Sequence, residues 1–433
     1  MTQPTVWNGV AIAKGAAQIS AAVDELRPAL VAFAQDLVRI PSLPGNEAPA
    51  HQYVATKLRG LRLDVAIVES RFDELRAHPA FSDDGLAPEG RINVVARWPG
   101  VSPRGASRSL ILNGHLDVVP TGNRSLWADD PFGGTVRNGR LFGRGACDMK
   151  CGVTAAVFAL EALMRLDRRP GGDVLVQTVS GEESGGVGTL TMIVKGYRAD
   201  AAIILEPTKL RLCPMQSGAL TFRLRVQGRS IHACMKRLGV SAIEKACYLM
   251  TRLDALDADR HRARPNRYYP DQQNIAPISV GTLSGGNWHS TVPHEAVIEG
   301  RYGIFVGESV DEAKRAFVAA MQEAVTADPW LREHPPVLEW FEGQFESGQT
   351  AGDAPILREL ATCHEAILDE APELQGVTYG SDLRLFTNHA RIPAVLYGPG
   401  DVANAHTVDE FIDLEEVVTA TKVLALTVAT WCA

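Results

Sequence analysis

The chain has 433 residues, of which 45% are hydrophobic and 22% are charged, and its formal net charge is -8. This length exceeds one ordinary core and predicts two or three domains. The acidic balance, with no run of lysine or arginine, argues against nucleic acid or an anionic membrane surface as a partner. No apolar run is long enough to span a membrane, and the first residues lack the order of a signal peptide. We therefore expect a cytoplasmic protein.

Strands and helices alternate through the first half of the chain. Periodic apolar residues predict a helix over 19–40, in which Pro28 either weakens the middle or marks the start. A second amphipathic helix is predicted from Val153 and ends before the Pro170-Gly171-Gly172 segment. The predicted strands are short, mostly apolar runs: residues 93–97, 109–113, 174–179 and 201–205. This alternation is typical of an α/β domain.

The pattern changes near residue 217. Apolar and polar residues alternate over 220–226, as in a sheet with one exposed face, and a helix is predicted at 240–256. Ser309 and Glu312 fit a capping box that begins a further helix. The α/β pattern then returns, with a buried strand at 392–397. We predict a mixed sheet covered by helices, in two parts (1–216 and 333–433), with a smaller α+β domain inserted at 217–332.

Residues of the types that bind metals in proteins occur where the predicted apolar strands end. Each has a plain alternative: His115 and Asp117 as a structural pair, Asp148 as a helix N-cap, and Glu182-Glu183 as a solvated turn. Their shared placement at the carboxyl ends of strands, where open α/β sheets hold their sites, favours a common site. The five candidate ligands are His115, Asp148, Glu183, Glu206 and His406.

Nitrogen and oxygen donors without thiolate suit zinc, with cobalt or manganese as alternatives. Two cations about 3.5–4 Å apart need one carboxylate that bridges them. Hydrolysis at such a site also needs a carboxylate that is not a ligand and can carry a proton. The ligand set therefore predicts a two-metal hydrolase.

In chain order, the segments that carry these residues are GHLDVVP, WADDPFGGTVRNGRLFGRGACDMKCG, SGEESGG, EPT and AHTVDEFI. Together they resemble the M20 metallopeptidase family, which includes acetylornithine deacetylase, succinyl-diaminopimelate desuccinylase, aminoacylase and glutamate carboxypeptidase. The resemblance extends from about residue 35 to residue 430. The segments NWHSTVP and EGRYG are similar to the acetylornithine-deacetylase-like branch.

The resemblance implies a role for each site residue. His115 with Glu206, and His406 with Glu183, would each bind one of two zinc ions, and Asp148 would bridge them. Glu182 would be the general base that activates the water shared by the metals, and Asp117 would orient His115. The inserted domain would be a lid that forms a homodimer, and His232 would reach the active site of the partner subunit.

The resemblance also implies an enzyme that cleaves the amide bond of a small, carboxylate-bearing molecule. A deacylase acting on an N-acyl amino acid is the first hypothesis, and a dipeptidase or carboxypeptidase on the same metals is the second. An inactive relative that acts as a binding module is the third. The candidates for substrate contact are Arg301, Arg384, Gly398 and Gly400, although each arginine could instead form a surface salt bridge.

Overall fold

The structure is a computed structural model that describes residues 9–87, 89–103, 105–341 and 344–433. The expectation of no signal peptide rests on residues 1–15, of which the first eight lie outside this range. The helices are α1 (Gly9–Arg39), α2 (Ala48–Gly60), α3 (Phe72–Leu75), α4 (Cys151–Arg165), α5 (Val187–Val194), α6 (Ala242–Ala263), α7 (Val310–Ala327), α8 (Pro329–Glu333), α9 (Pro355–Leu368) and α10 (Leu414–Trp431). The strands are β1 (Asp64–Glu69), β2 (Ile92–Trp98), β3 (Leu110–His115), β4 (Thr135–Arg137), β5 (Arg140–Phe142), β6 (Val174–Val179), β7 (Ala201–Ile204), β8 (Leu212–Gln216), β9 (Gly218–Gln227), β10 (Ile278–Gly285), β11 (Glu295–Ile304), β12 (Val337–Trp340), β13 (Gly348–Gln349), β14 (Leu374–Val377), β15 (Ala394–Leu396) and β16 (Phe411–Asp413).

The chain folds into two compact units. The first unit runs to Met215 and resumes over Gln349–Gln375 and Ser381–Ala433, and the second comprises Gln216–Gly348 and Gly376–Gly380. The prediction placed the end of the inserted domain at residue 332. The second unit extends beyond that position because β12 forms an antiparallel pair with β9 and so belongs to its sheet.

A large mixed sheet forms the centre of the first unit, with the strand order β1-β2-β6-β3-β7-β15-β8-β13 and β14 paired to β8. The neighbours β6, β3, β7 and β15 are parallel to one another, so their carboxyl ends lie at the same edge. Every residue of β3, β6 and β7 is buried, as expected for apolar strands covered on both faces. Helices α1, α4, α9 and α10 pack together in this unit. The predicted α/β fold with a mixed sheet is confirmed.

Helix α1 continues through Pro28, so this proline does not mark the helix start. Proline removes one backbone hydrogen bond and leaves the carbonyl four residues earlier without its helical partner. Both Pro28 and Asp24 are exposed, so water can satisfy that carbonyl. The buried face, which includes Leu26 and Leu30, holds the helix together on both sides of the proline.

The C-terminal apolar run forms α10, which packs against α1, α4 and α9. Lys422 lies within this helix and pairs with Asp24 at 2.7 Å. Across the described residues, no helix combines the length and the apolar character needed to cross a membrane.

The second unit is a four-stranded antiparallel sheet with the order β10-β11-β9-β12. Alternating residues of β9 are buried, and they pack with residues of α6 and α7 in one hydrophobic core. Helix α7 begins with the predicted capping box, in which Ser309 and Glu312 exchange hydrogen bonds. An α+β domain inserted in the larger α/β domain is therefore confirmed, whereas its boundary is corrected.

Candidate metal centre

The parallel strands of the first unit carry the predicted ligands to one edge of the sheet. His115 is the last residue of β3, Glu183 lies in the turn after β6, and Glu206 follows β7. His406 lies in the segment between β15 and β16, and Asp148 precedes α4. All five residues come from segments that leave the sheet or approach it at this edge, as the fold class requires.

Asp148 lies between the two histidines. Its Oδ1 is 3.0 Å from His115 Nε2, and its Oδ2 is 3.5 Å from His406 Nε2. His406 Nε2 is also 2.9 Å from Glu183 Oε1. Asp148 is therefore close to both histidines, and a carboxylate shared in this way is what two neighbouring cations require.

Two overlapping groups of donor atoms could each hold a cation. His115, Glu182 and Glu206 form one group, and His115, Asp148 and Glu183 form the other, with ligand atoms within 4.8 Å of one another in each. Among the described residues, no ion pair joins any of these carboxylates to a lysine or arginine. Four acidic side chains packed this closely repel one another, so the donor set fits divalent cations.

Burial and mutual repulsion set the charge state of these groups. Burial raises the pKa of Glu182 well above its usual value, and the nearby charge of Glu206 raises it further. Burial also raises the pKa of Glu206. Hydrogen bonds to Asp148 and Glu183 raise the pKa of His406 to about 10. Burial raises the pKa of Asp148 as well, but hydrogen bonds from the two histidines outweigh burial and bring the pKa below its usual value.

Asp117 contacts His115 mainly through its backbone. The Nδ1 of His115 lies 2.9 Å from the backbone carbonyl oxygen of Asp117 and 3.7 Å from its carboxylate. The carboxylate instead accepts the backbone N–H groups of Glu182 and Glu183, at 3.3 and 3.0 Å. Asp117 therefore fixes the histidine ring through its backbone and the acidic turn through its side chain.

Three of the predicted substrate contacts lie in the first unit, where the structure gives each of them a packing role. Arg384 is 1% exposed, and its guanidinium donates to the carbonyl of Gly185 at 2.8 Å. A Cβ on Gly398 would lie 2.6 Å from the carbonyl oxygens of Leu205 and Glu206. Gly400 has a φ of +92° and packs on Cys147. These contacts hold the three residues in place, and their predicted contact with substrate stays a prediction.

The other two predicted site residues lie in the second unit. His232 is exposed, and its Nδ1 accepts the N–H of Cys234 at 3.2 Å. Arg301 is half-buried and donates to the carbonyl of Thr378 at 2.9 Å. The predicted roles of both residues stay predictions.

Several buried charged residues around the centre were missed by the sequence analysis. Glu410 accepts the N–H groups of Cys147 and Asp148 and pairs with Arg144. Asp382 lies behind the acidic turn, where a Cβ on Gly186 would be 2.5 Å from its Oδ1. Lys150 donates to the carbonyl of Ile40 at 2.7 Å, and burial lowers its pKa to about 7. Glu410 and Arg144 stand inside the quoted motifs, but nothing in the local sequence shows that they are buried.

Comparisons with known proteins show what the whole chain is similar to. Residues 111–430 match the model of peptidase family M20/M25/M40. The chain is 30% identical to an N-formyl-4-amino-5-aminomethyl-2-methylpyrimidine deformylase from Halalkalibacterium halodurans, over 96% of this chain and 97% of that protein. It is 27% identical to an acetylornithine deacetylase from Myxococcus xanthus, over 90% and 98%. A dinuclear metal-binding M20 peptidase from Bacillus subtilis superposes with a TM-score of 0.63 at 15% identity, over 94% and 99%.

The fold and the centre define a metal-dependent hydrolase of linear amides. The chain belongs to the M20/M25/M40 peptidase family, as its motifs predict.

Proposed function

We propose that the protein is a deacylase that removes a small acyl group from the nitrogen of a small amine, with an N-acyl amino acid as the first substrate class. The observation that carries this proposal is the position of Glu182, whose carboxylate lies among the donor atoms of the centre with His115 and Glu206. Its Oε2 is 4.0 Å from His115 Nε2. Its Oε1 is buried and accepts no hydrogen bond from the described residues. A buried acceptor beside a metal centre suits a group that takes a proton during the reaction.

The proposed cofactor is a pair of zinc ions, with cobalt or manganese as alternatives. His115 and Glu206 would hold one ion, His406 and Glu183 the other, and Asp148 both. Bound there, the cations would polarise the carbonyl of the amide and lower the pKa of the attacking water. Metal analysis of the purified protein should give two ions per chain, and one ion or none would contradict this stoichiometry.

The chain's own residues would carry the proton. Glu182 accepts a proton from the attacking water and returns it to the nitrogen of the leaving amine. Its backbone N–H is held by Asp117, which keeps the carboxylate directed at the centre. The raised pKa of Glu182 reflects its burial, and burial also keeps bulk water away from the transferred proton.

Replacing Glu182 with glutamine tests this role. Glu182→Gln keeps the shape of the side chain but cannot accept the proton, so we expect turnover to fall roughly 10²–10⁴-fold. The metal content should stay at the wild-type value because Glu182 is not one of the proposed ligands. Glu69→Gln is a matched control, since Glu69 is an exposed residue of the same unit. Wild-type turnover in Glu182→Gln would remove this residue from the mechanism.

A substrate panel separates the deacylase from the peptidase alternative. The relatives include a deformylase, an acetylornithine deacetylase and a succinyl-diaminopimelate desuccinylase. The panel should therefore hold N-formyl, N-acetyl and N-succinyl amines, each with and without a carboxylate. Unblocked dipeptides complete it. We expect the highest kcat/KM for one of the acylated amines. A dipeptide that exceeds all of them would favour the dipeptidase hypothesis.

We also propose that two copies of the chain associate through the second unit. In support, β10 lies at the edge of its sheet, and most of its residues are exposed. Leu283 on this strand and Trp288 after it are 41% and 63% exposed. An exposed edge strand with apolar side chains is a surface that proteins usually cover. Light scattering should give the mass of a dimer.

The cytoplasmic location stays a prediction.

A further inference from the structure

Glu410 is a buried carboxylate that contacts the backbone of the metal centre. It is 0% exposed and lies between His406 and strand β16. Its Oε1 accepts the N–H groups of Cys147 and Asp148, at 2.9 and 3.2 Å. One side chain therefore joins the segment that carries His406 to the segment that carries Asp148.

Arg144 holds Glu410 in this position. Its Nη1 donates to Glu410 Oε2 at 2.6 Å, and the arginine is only 2% exposed. The guanidinium lies over the ring of Trp127, 5.2 Å from its centroid. The backbone of the same segment is fixed as well, because the N–H of Gly143 donates to the carbonyl of Glu410 at 2.9 Å. Both partners of this ion pair are thus held by side-chain and backbone contacts.

The centre uses the same device on its other side. There the carboxylate of Asp117 accepts the N–H groups of Glu182 and Glu183. In each case one buried carboxylate accepts hydrogen bonds from the backbone N–H groups of two successive residues, and the second of those residues is a candidate ligand. Groups that orient the ligands of a metal site are worth about 10–100-fold in metal affinity.

We propose that Glu410, paired with Arg144, is a positioning residue that sets the Asp148 carboxylate relative to His406 and so gives the cation between them its affinity. The inference rests on the proposed two-metal function. Asp148 is the carboxylate that both histidines share, so a small displacement of its backbone changes both distances at once. Glu410 is placed to prevent that displacement because it is anchored four residues after His406 and bonds to the N–H of Asp148 itself.

A buried ion pair could also serve stability alone, and the second unit offers a matched control. There Arg260 and Glu308 form a buried pair at 2.8 Å, and Glu308 Oε2 also accepts the N–H of Phe305 at 3.0 Å. The buried ion pair is of the same kind, although Glu308 also lies 3.7 Å from Arg264. Among the described residues, neither partner of the pair contacts a candidate ligand. Breaking either pair leaves a buried charge unpaired and should destabilise its unit.

The test compares Glu410→Gln, Arg144→Lys and Glu308→Gln. Glutamine offers one acceptor and one donor where Glu410 offers two acceptors, so its NH₂ must face either the backbone amides or Arg144. Lysine at position 144 keeps the charge but loses the planar fork that fits the carboxylate. Each metal-free protein is titrated with Co²⁺ and followed by its visible absorption spectrum, by chelator competition and by thermal unfolding.

We expect Glu410→Gln to bind one of the two Co²⁺ ions about 10–100-fold more weakly and to show an altered Co²⁺ spectrum. Arg144→Lys should also weaken the binding of one Co²⁺ ion and alter the Co²⁺ spectrum. If Glu410→Gln does not fold, Arg144→Lys alone tests the inference. Glu308→Gln should lose thermal stability but keep the wild-type affinity and spectrum. Wild-type Co²⁺ binding in both Glu410→Gln and Arg144→Lys would overturn the inference while leaving the metal centre intact. A wild-type protein that binds no Co²⁺ would overturn the proposed function and this inference with it.

Discussion

Replacing Gly398 with alanine distinguishes a substrate contact from a packing requirement. A Cβ at this position would lie 2.6 Å from the carbonyl oxygens of Leu205 and Glu206. Carbon and oxygen that are not bonded rarely approach closer than about 3.3 Å, so the two segments must separate by about 0.7 Å. The φ angle of Gly398 lies outside the left-handed region, so this contact is the source of the strain.

The segment cannot easily yield, because the N–H and the carbonyl of Gly398 are both hydrogen-bonded, to Thr208 and Leu210. Glu206 is a candidate ligand, and metal–ligand distances tolerate only about ±0.2 Å. Gly398→Ala should therefore weaken metal binding and cost about 1–3 kcal/mol of stability, as overpacking of a core does.

Titration of the metal-free variant with Co²⁺ and thermal unfolding measure the two effects. Gly60→Ala is the matched control, since a Cβ on Gly60 would meet no atom of the described residues within 4 Å. The packing argument fails if Gly398→Ala binds both cations as the wild type does and changes only KM. That result would return Gly398 to the substrate pocket.

Two further predictions follow from the centre and from the second unit. The pKa of His406 is raised to about 10, so its ring holds a proton near pH 7, and a cation that binds it must displace that proton. Metal affinity should therefore fall as the pH falls, and metal binding should release at least about one proton per chain. Calorimetry in two buffers of different ionisation enthalpy measures this proton release, and finding none would contradict the prediction. His232→Ala should lower turnover without loss of metal, since its proposed contact is with the partner's substrate. When His232→Ala chains are mixed with Glu182→Gln chains, activity should recover to about a quarter of the wild-type value, because half of the random dimers contain both variants and hold one intact site of two. No recovery after subunit exchange would refute a site shared between subunits.

The elements that the sequence predicted well are those whose signals are local. The apolar run of β6 was predicted with its observed bounds, and the capping box at Ser309 marks the first turn of α7. The boundary of the second unit was misplaced because β12 joins that unit by pairing with β9, more than a hundred residues earlier in the chain. Strand pairing of this kind leaves no mark in the local pattern.

The sequence by itself identified candidate metal ligands and placed them at the carboxyl ends of strands, because a polar residue that follows an apolar run is apparent from the sequence. Only the tertiary structure decided what the other charged residues do. Arg384, a candidate for binding substrate, is buried and donates to the carbonyl of Gly185 in the turn that carries Glu183. Glu410 accepts the backbone N–H of Asp148, 262 positions away, and is fully buried. Hydrogen bonds act over about 3 Å, so which distant residues share one is set by the packing of the elements and not by their spacing along the chain.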